Sequence, residues 1–149
     1  MTGCDYIVQQ WQVHSGQCLR IWRSDRHPAK KLALATHPLQ LLSYHDDQTV
    51  RCWQHAAERQ RWLPQARLQL ADDSLVELLV TSRTGHYWAA GTVAGQIVIW
   101  DCRQSIWLDW SMRLPKSITA LAFNRAGTLL AAGDLTGTVA LWDLPNRVF

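Results

Sequence analysis

Cys52 and His55 have the Cys-x-x-His spacing of half a zinc site. Thiolate and imidazole are donors that zinc accepts, but a closed site needs four ligands and no second pair is spaced to match. A strand cysteine followed by a turn histidine is the simpler reading. Asp72-Asp73 could act as a carboxylate pair for metal binding or acid–base work, yet no partner residue can be named, which leaves a solvated loop charge. Ser15 and Ser43 lie in no Gly-x-Ser-x-Gly context. Glycines fall singly, whereas a phosphate loop clusters them before a lysine. His14, His37, His45 and His86 lie near predicted turns and are expected to be solvated. The sequence nominates no catalytic residue, no metal ligand and no cofactor.

The densest positive run is Arg20, Arg23, Arg26, Lys30 and Lys31, with Trp22 among them. Arginines on phosphates with an indole stacking on a base would suit nucleic acid. An outer strand and loop with its charges in water explains the same residues, and we favour it. Net charge is +3, too small to nominate nucleic acid or an anionic membrane as a partner. The 149 residues, 48% hydrophobic and 18% charged, describe one globular domain. No apolar run approaches the roughly 18 residues of a membrane span, and the first residues do not read as a signal peptide, so the expected compartment is the cytoplasm. Cys4, Cys18, Cys52 and Cys102 are expected to be reduced and mostly buried.

These residues must be positioned by something, and the tryptophans show what. Trp11, Trp53, Trp100 and Trp142 are 42, 47 and 42 residues apart. Each closes a strand-like run: Ile7-Val8-Gln9-Gln10-Trp11, Thr49-Val50-Arg51-Cys52-Trp53, Ile97-Val98-Ile99-Trp100 and Thr138-Val139-Ala140-Leu141-Trp142. β-Branched residues favour extended backbone, and an indole brings a large apolar body with one N–H to satisfy. Upstream, Leu121-Ala122-Phe123 aligns without a gap on Leu32-Ala33-Leu34, and Thr128–Ala131 on Leu39–Leu42. Turn residues divide the runs, including Thr136-Gly137, Ala94-Gly95 and Asp47-Gln48 before each Trp strand. Outer strands are expected at Cys18–Arg23, Arg61–Leu70 and Ser105–Arg113, charged as edges facing water should be. A period of about 40–45 residues with strands ending in Trp-Asp marks propeller blades.

On these residues the chain resembles the WD-repeat β-propeller family over nearly its whole length. The resemblance implies an all-β fold of four-stranded antiparallel blades. It also implies a buried network joining a His before the inner strand, a Ser or Thr on the second strand, an Asp in the next turn and the Trp. The second repeat would supply His27, Ser43, Asp47 and Trp53, and the first Asp5 and Trp11. Trp100 and Trp142 belong to repeats with Ala94 and Thr136 at the Asp position and no clear His, so these should rely more on apolar packing than on the network. Residues 1–149 read as a single partial propeller with blade remnants at 1–23, 27–70, 75–113 and 117–149, of two, four, four and three strands. That is too few to close a ring. A fragment of a larger propeller, a ring closed by association as a homodimer or with another propeller fragment, and an open array are the alternatives.

Propeller loops and the turns before the Trp strands gather at one face, where they vary freely. Here they place Arg26, His27, Lys30, Asp46, Asp72, Asp73, Val93, Lys116 and Leu135 as candidate contacts. Trp22, Trp62, Trp107 and Trp110 are a second candidate surface, because indoles are frequent interface anchors, with packing between blades as the competing role. The resemblance implies a non-catalytic scaffold that binds a protein or peptide. The alternative is the regulatory or sensor part of a larger multidomain protein whose catalytic part lies elsewhere.

Overall fold

The computed structural model describes residues 7–23, 27–36, 39–56, 61–69 and 75–144. Asp5, Arg26, Asp72 and Asp73 lie outside the described residues, as do the side chains of Trp22, Trp62 and Trp110. Strands β1 (Ile7–Trp11) and β2 (Cys18–Arg23) form a two-stranded sheet. A four-stranded sheet follows in sequence order: β3 (Ala29–Thr36), β4 (Leu39–His45), β5 (Thr49–Ala56) and β6 (Arg61–Gln69). The next repeats it with β7 (Val76–Thr81), β8 (Tyr87–Thr92), β9 (Gln96–Asp101) and β10 (Ile106–Arg113). The last has three strands among the described residues, β11 (Ile118–Phe123), β12 (Leu129–Asp134) and β13 (Val139–Asp143). All neighbouring strands are antiparallel. β10 begins one residue later than expected because Ser105 adopts a positive φ of 55° and ends the turn after β9.

Register confirms the repeat residue by residue. Trp53 lies opposite Leu41, Trp100 opposite Trp88, and Trp142 opposite Leu130. The middle sheet is apolar on both faces, since both faces are covered. Trp88, Ala90 and Trp100 pack with Leu42, Tyr44, Val50 and Cys52 of the preceding sheet. Tyr87, Ala89, Ile97 and Ile99 pack with Ile118, Leu130 and Ala132 of the following one. Each such aliphatic side chain contributes about 1.5–3 kcal/mol when fully buried. The first strands β3, β7 and β11 lie side by side, so the sheets fan out from them. Gly91 permits this, because a Cβ there would run into the Ile118 side chain. Burial pushes the Cys52 thiol up to about 12 and raises Cys102 as well, which keeps both in the thiol form. No helix among the described residues is long and apolar enough to cross a membrane.

Candidate protein-interaction site

Ser43 is fully buried in the middle of β4. Its Oγ accepts the Trp53 Nε1–H at 3.1 Å and lies 2.7 Å from His45 Nε2. His45 Nδ1 lies 2.8 Å from the His27 carbonyl oxygen. One assignment of protons satisfies all of them: Trp53 donates to Ser43, Ser43 donates to His45 Nε2, and His45 Nδ1–H donates to the carbonyl. That requires a neutral imidazole, and burial indeed holds His45 below its ordinary 6.5, with the Arg51 charge adding to the effect and the His27 carbonyl opposing it. The histidine linking serine to this network is therefore His45 and not the ring of His27. Residues 43 and 45 are two apart on one strand, so their side chains share a face. The expectation that His45 is solvated is corrected for the same reason.

The His27 ring instead meets Asp46 Oδ1 at 3.0 Å and Asp47 Oδ2 at 3.8 Å. Asp47 Oδ1 accepts from the Thr49 hydroxyl at 2.6 Å and its amide at 3.2 Å. Oδ2 receives Arg51 at 3.0 Å and Arg67 at 2.8 Å. Burial would raise the Asp47 carboxyl, but hydrogen bonds from Thr49 and the Arg51 guanidinium outweigh it and bring it to about 2. His27, Asp46 and Asp47 each offer a ligand atom within 4.8 Å of the others, a spacing a metal could use. Two guanidinium groups already neutralise Asp47, so its carboxylate serves in ion pairs with Arg51 and Arg67. Thr49, Arg51 and Arg67 were missed in the sequence. The available signal was Arg51 itself, an arginine on the same strand face as Thr49 and Trp53.

The other sheets solve the same turn differently. Asp134, at the end of β12, takes the role that Thr136 leaves vacant. Its carboxylate accepts from the Thr136 hydroxyl and amide at 2.6 and 2.9 Å, from Thr138 N at 3.0 Å and from Lys116 N at 3.1 Å. The Thr136 hydroxyl, foremost, holds this carboxyl below its ordinary range. In the middle sheet the Thr92 hydroxyl bonds the Gln96 amide at 3.0 Å. The last sheet thus adds a turn carboxylate to the apolar packing on which it was expected to rely more than on the network. Across the middle sheet, buried Asp101 accepts the Arg103 amide at 2.8 Å, and Arg103 donates to the Tyr87 hydroxyl at 2.7 Å.

Asp46, Val93 and Leu135 occupy one equivalent turn position, each just after the second strand of its sheet, and all three are exposed. Val93 N bonds the carbonyl of exposed Leu75, and Leu135 N that of Ser117. Lys116 is exposed beside Ser117, and exposed Lys30 is the second residue of β3, next to Ala29, which pairs with His45. The structure brings these candidates to one end of the sheets and adds Leu75, an exposed apolar residue directly ahead of β7. Trp107 does not join them. It lies opposite Trp100, towards the other end of β10, with the rings edge-on at 5.1 Å, and at 36% exposure it packs on Trp100 while keeping one side open to solvent.

Residues 111–143 match the WD domain, G-beta repeat family. The fold is similar to the β-propeller domain of Myceliophteria thermophila Cps50 (Swd1), with a TM-score of 0.79, 17% identity, and coverage of 95% of this chain and 48% of that one. It is also similar to the computationally designed Ika4 protein, with a TM-score of 0.70, 22% identity, and coverage of 95% and 81%. The chain spans about half the length of the Cps50 domain. No curated protein sequence gives a significant match. Propellers of this type generally mediate protein–protein interaction and are typically non-catalytic.

Proposed function

We propose that this WD-repeat propeller-type domain is a non-catalytic cytoplasmic scaffold that holds a protein or peptide at the end where its second-strand turns gather. The observation that carries this reading is the exposure of Val93, Leu135 and Leu75 at that end, where exposed Lys30 and Lys116 lie at or just ahead of the first strands of their sheets. Rigid strands present the turns, and the apolar side chains supply anchors that a partner desolvates. The lysines suit a partner segment that carries acidic residues next to an apolar one. The double variant Val93→Asp/Leu135→Asp tests this in a pull-down from native extract. We expect it to keep its thermal midpoint and lose the proteins captured by the unaltered chain. Undiminished capture would exclude this face as the binding surface.

A further inference from the structure

Val139 and Leu141 on β13 are 73% and 68% exposed, whereas Ile97 and Ile99, at the same register positions on β9, are 2% and 1% exposed. Their chemistry is alike; what differs is the neighbour. Ile97 and Ile99 are covered by Ile118, Leu130 and Ala132 of the next sheet. Ala120 and Ala131 extend the open face around Val139 and Leu141. Towards the other end, Leu32 and Leu34 of β3 are exposed too, although Leu79, in the register position of Leu32, is buried. With Val8, Leu39 and Leu41 they line a cavity of about 350 Å³ beside β1.

Both faces continue an interface that the chain already makes twice. In each case the third-strand side of one sheet meets the first two strands of the next: Val50 and Cys52 meet Val76 and Trp88, and Ile97 and Ile99 meet Ile118 and Leu130. The β13 face is one half of that interface and the β3–β4 face is the other. They complement each other rather than themselves, so a second copy turned by a two-fold rotation can satisfy both ends at once. The strands agree. β13 has a free edge among the described residues, and β1 is its register equivalent, with Trp11 matching Trp142. A two-stranded sheet such as β1–β2 is marginal alone, so exchanging its partner costs little.

We propose that two copies of this chain associate head to tail. The β11–β13 sheet of one seats on the β3–β4 face of the other where β1 now lies, and β2 adds to it as the fourth strand. Each copy contributes two complete sheets and shares two composite ones, giving a six-bladed ring, within the range of about 4–8 blades at which propellers close. One chain covers 48% of the Cps50 propeller domain, so two supply about one propeller of strands.

Light scattering of the purified chain should read about twice its 17.0 kDa. Leu141→Asp should return the mass to a single chain with its circular dichroism spectrum intact, while Ile106→Asp, an equal change on the exposed rim of β10, should leave the dimer. Ile21 pairs with Gln9, whose register counterpart on β13 is Ala140. Under oxidation, Ile21→Cys/Ala140→Cys should therefore give a disulfide between copies. A single-chain mass for the unaltered protein at high concentration would overturn the proposal. So would a dimer that survives Leu141→Asp, or one in which the cysteine pair fails to join.

Discussion

The β3–β6 and β7–β10 sheets have the same strand order and the same turn geometry, and they are fastened by different chemistry. In the first, Ser43, His45 and Trp53 share hydrogen bonds beneath a carboxylate held by two arginines. In the second, Ala90 and Thr92 take the places of Ser43 and His45, and Trp100 sits between Trp88 at 6.2 Å and Trp107 at 5.1 Å. A polar network is stabilising only while each member keeps its partner, whereas an aromatic stack loses contact area in proportion to what is removed. Architecture is thus indifferent to the kind of fastening, but the response to pH and to substitution is not.

Removing the central indole should separate the two sheets most. Trp100→Ala should cost about 3–5 kcal/mol in denaturant unfolding, because it empties a buried stack. Trp53→Ala, at a half-buried position, should cost roughly half as much. Next, Ser43→Ala leaves the His45 and Trp53 nitrogens without their shared oxygen and should cost about 1–3 kcal/mol. The mirror change Ala90→Ser buries a hydroxyl with no imidazole to receive it, so it should destabilise rather than transfer the network.

Acid should then distinguish the sheets with no substitution at all. His45 titrates below its ordinary 6.5 in the folded chain, so its contribution is complete above that pH and declines as pH falls beneath it. Asp47 titrates near 2 rather than 3.8, so its contribution is present above about pH 4 and is lost as pH falls towards 2. Discounted for solvent screening, the Asp47 part is roughly 1 kcal/mol. Hydrogen exchange between pH 7 and 4 should show β4 and β5 losing protection before β8 and β9. Equal loss in both sheets would remove the distinction. The smallest effect concerns the turns. Gln48 holds a φ of 59° where Gly95 and Gly137 hold 83° and 84°. Gln48→Gly should raise the unfolding free energy by up to about 1 kcal/mol, checked by the thermal midpoint.

The strands and the repeat were legible because each depends on residues adjacent in sequence: alternating β-branched runs, turn glycines and an indole at a fixed interval. The network was legible in kind but not in membership. His45 bonds a carbonyl 18 residues away, and Asp47 pairs with Arg67 from the outer strand, so both partners depend on register rather than on residue type. Asp134 was hidden because alignment by turn position looks for the carboxylate at residue 136, while the chain supplies it two residues earlier from the strand end. The packing of Trp107 on Trp100 likewise depends on strand register, which pairs residues of two different strands.

The Trp53–Ser43–His45 relay carries a direction. A single hydroxyl hydrogen points from serine to imidazole, and an incoming proton on that ring must turn it away. The indole at the far end would feel the reversal, so the difference in emission between the unaltered chain and Trp53→Phe would report the ionisation of a group buried two bonds of the relay away, from inside the sheet and without a dye.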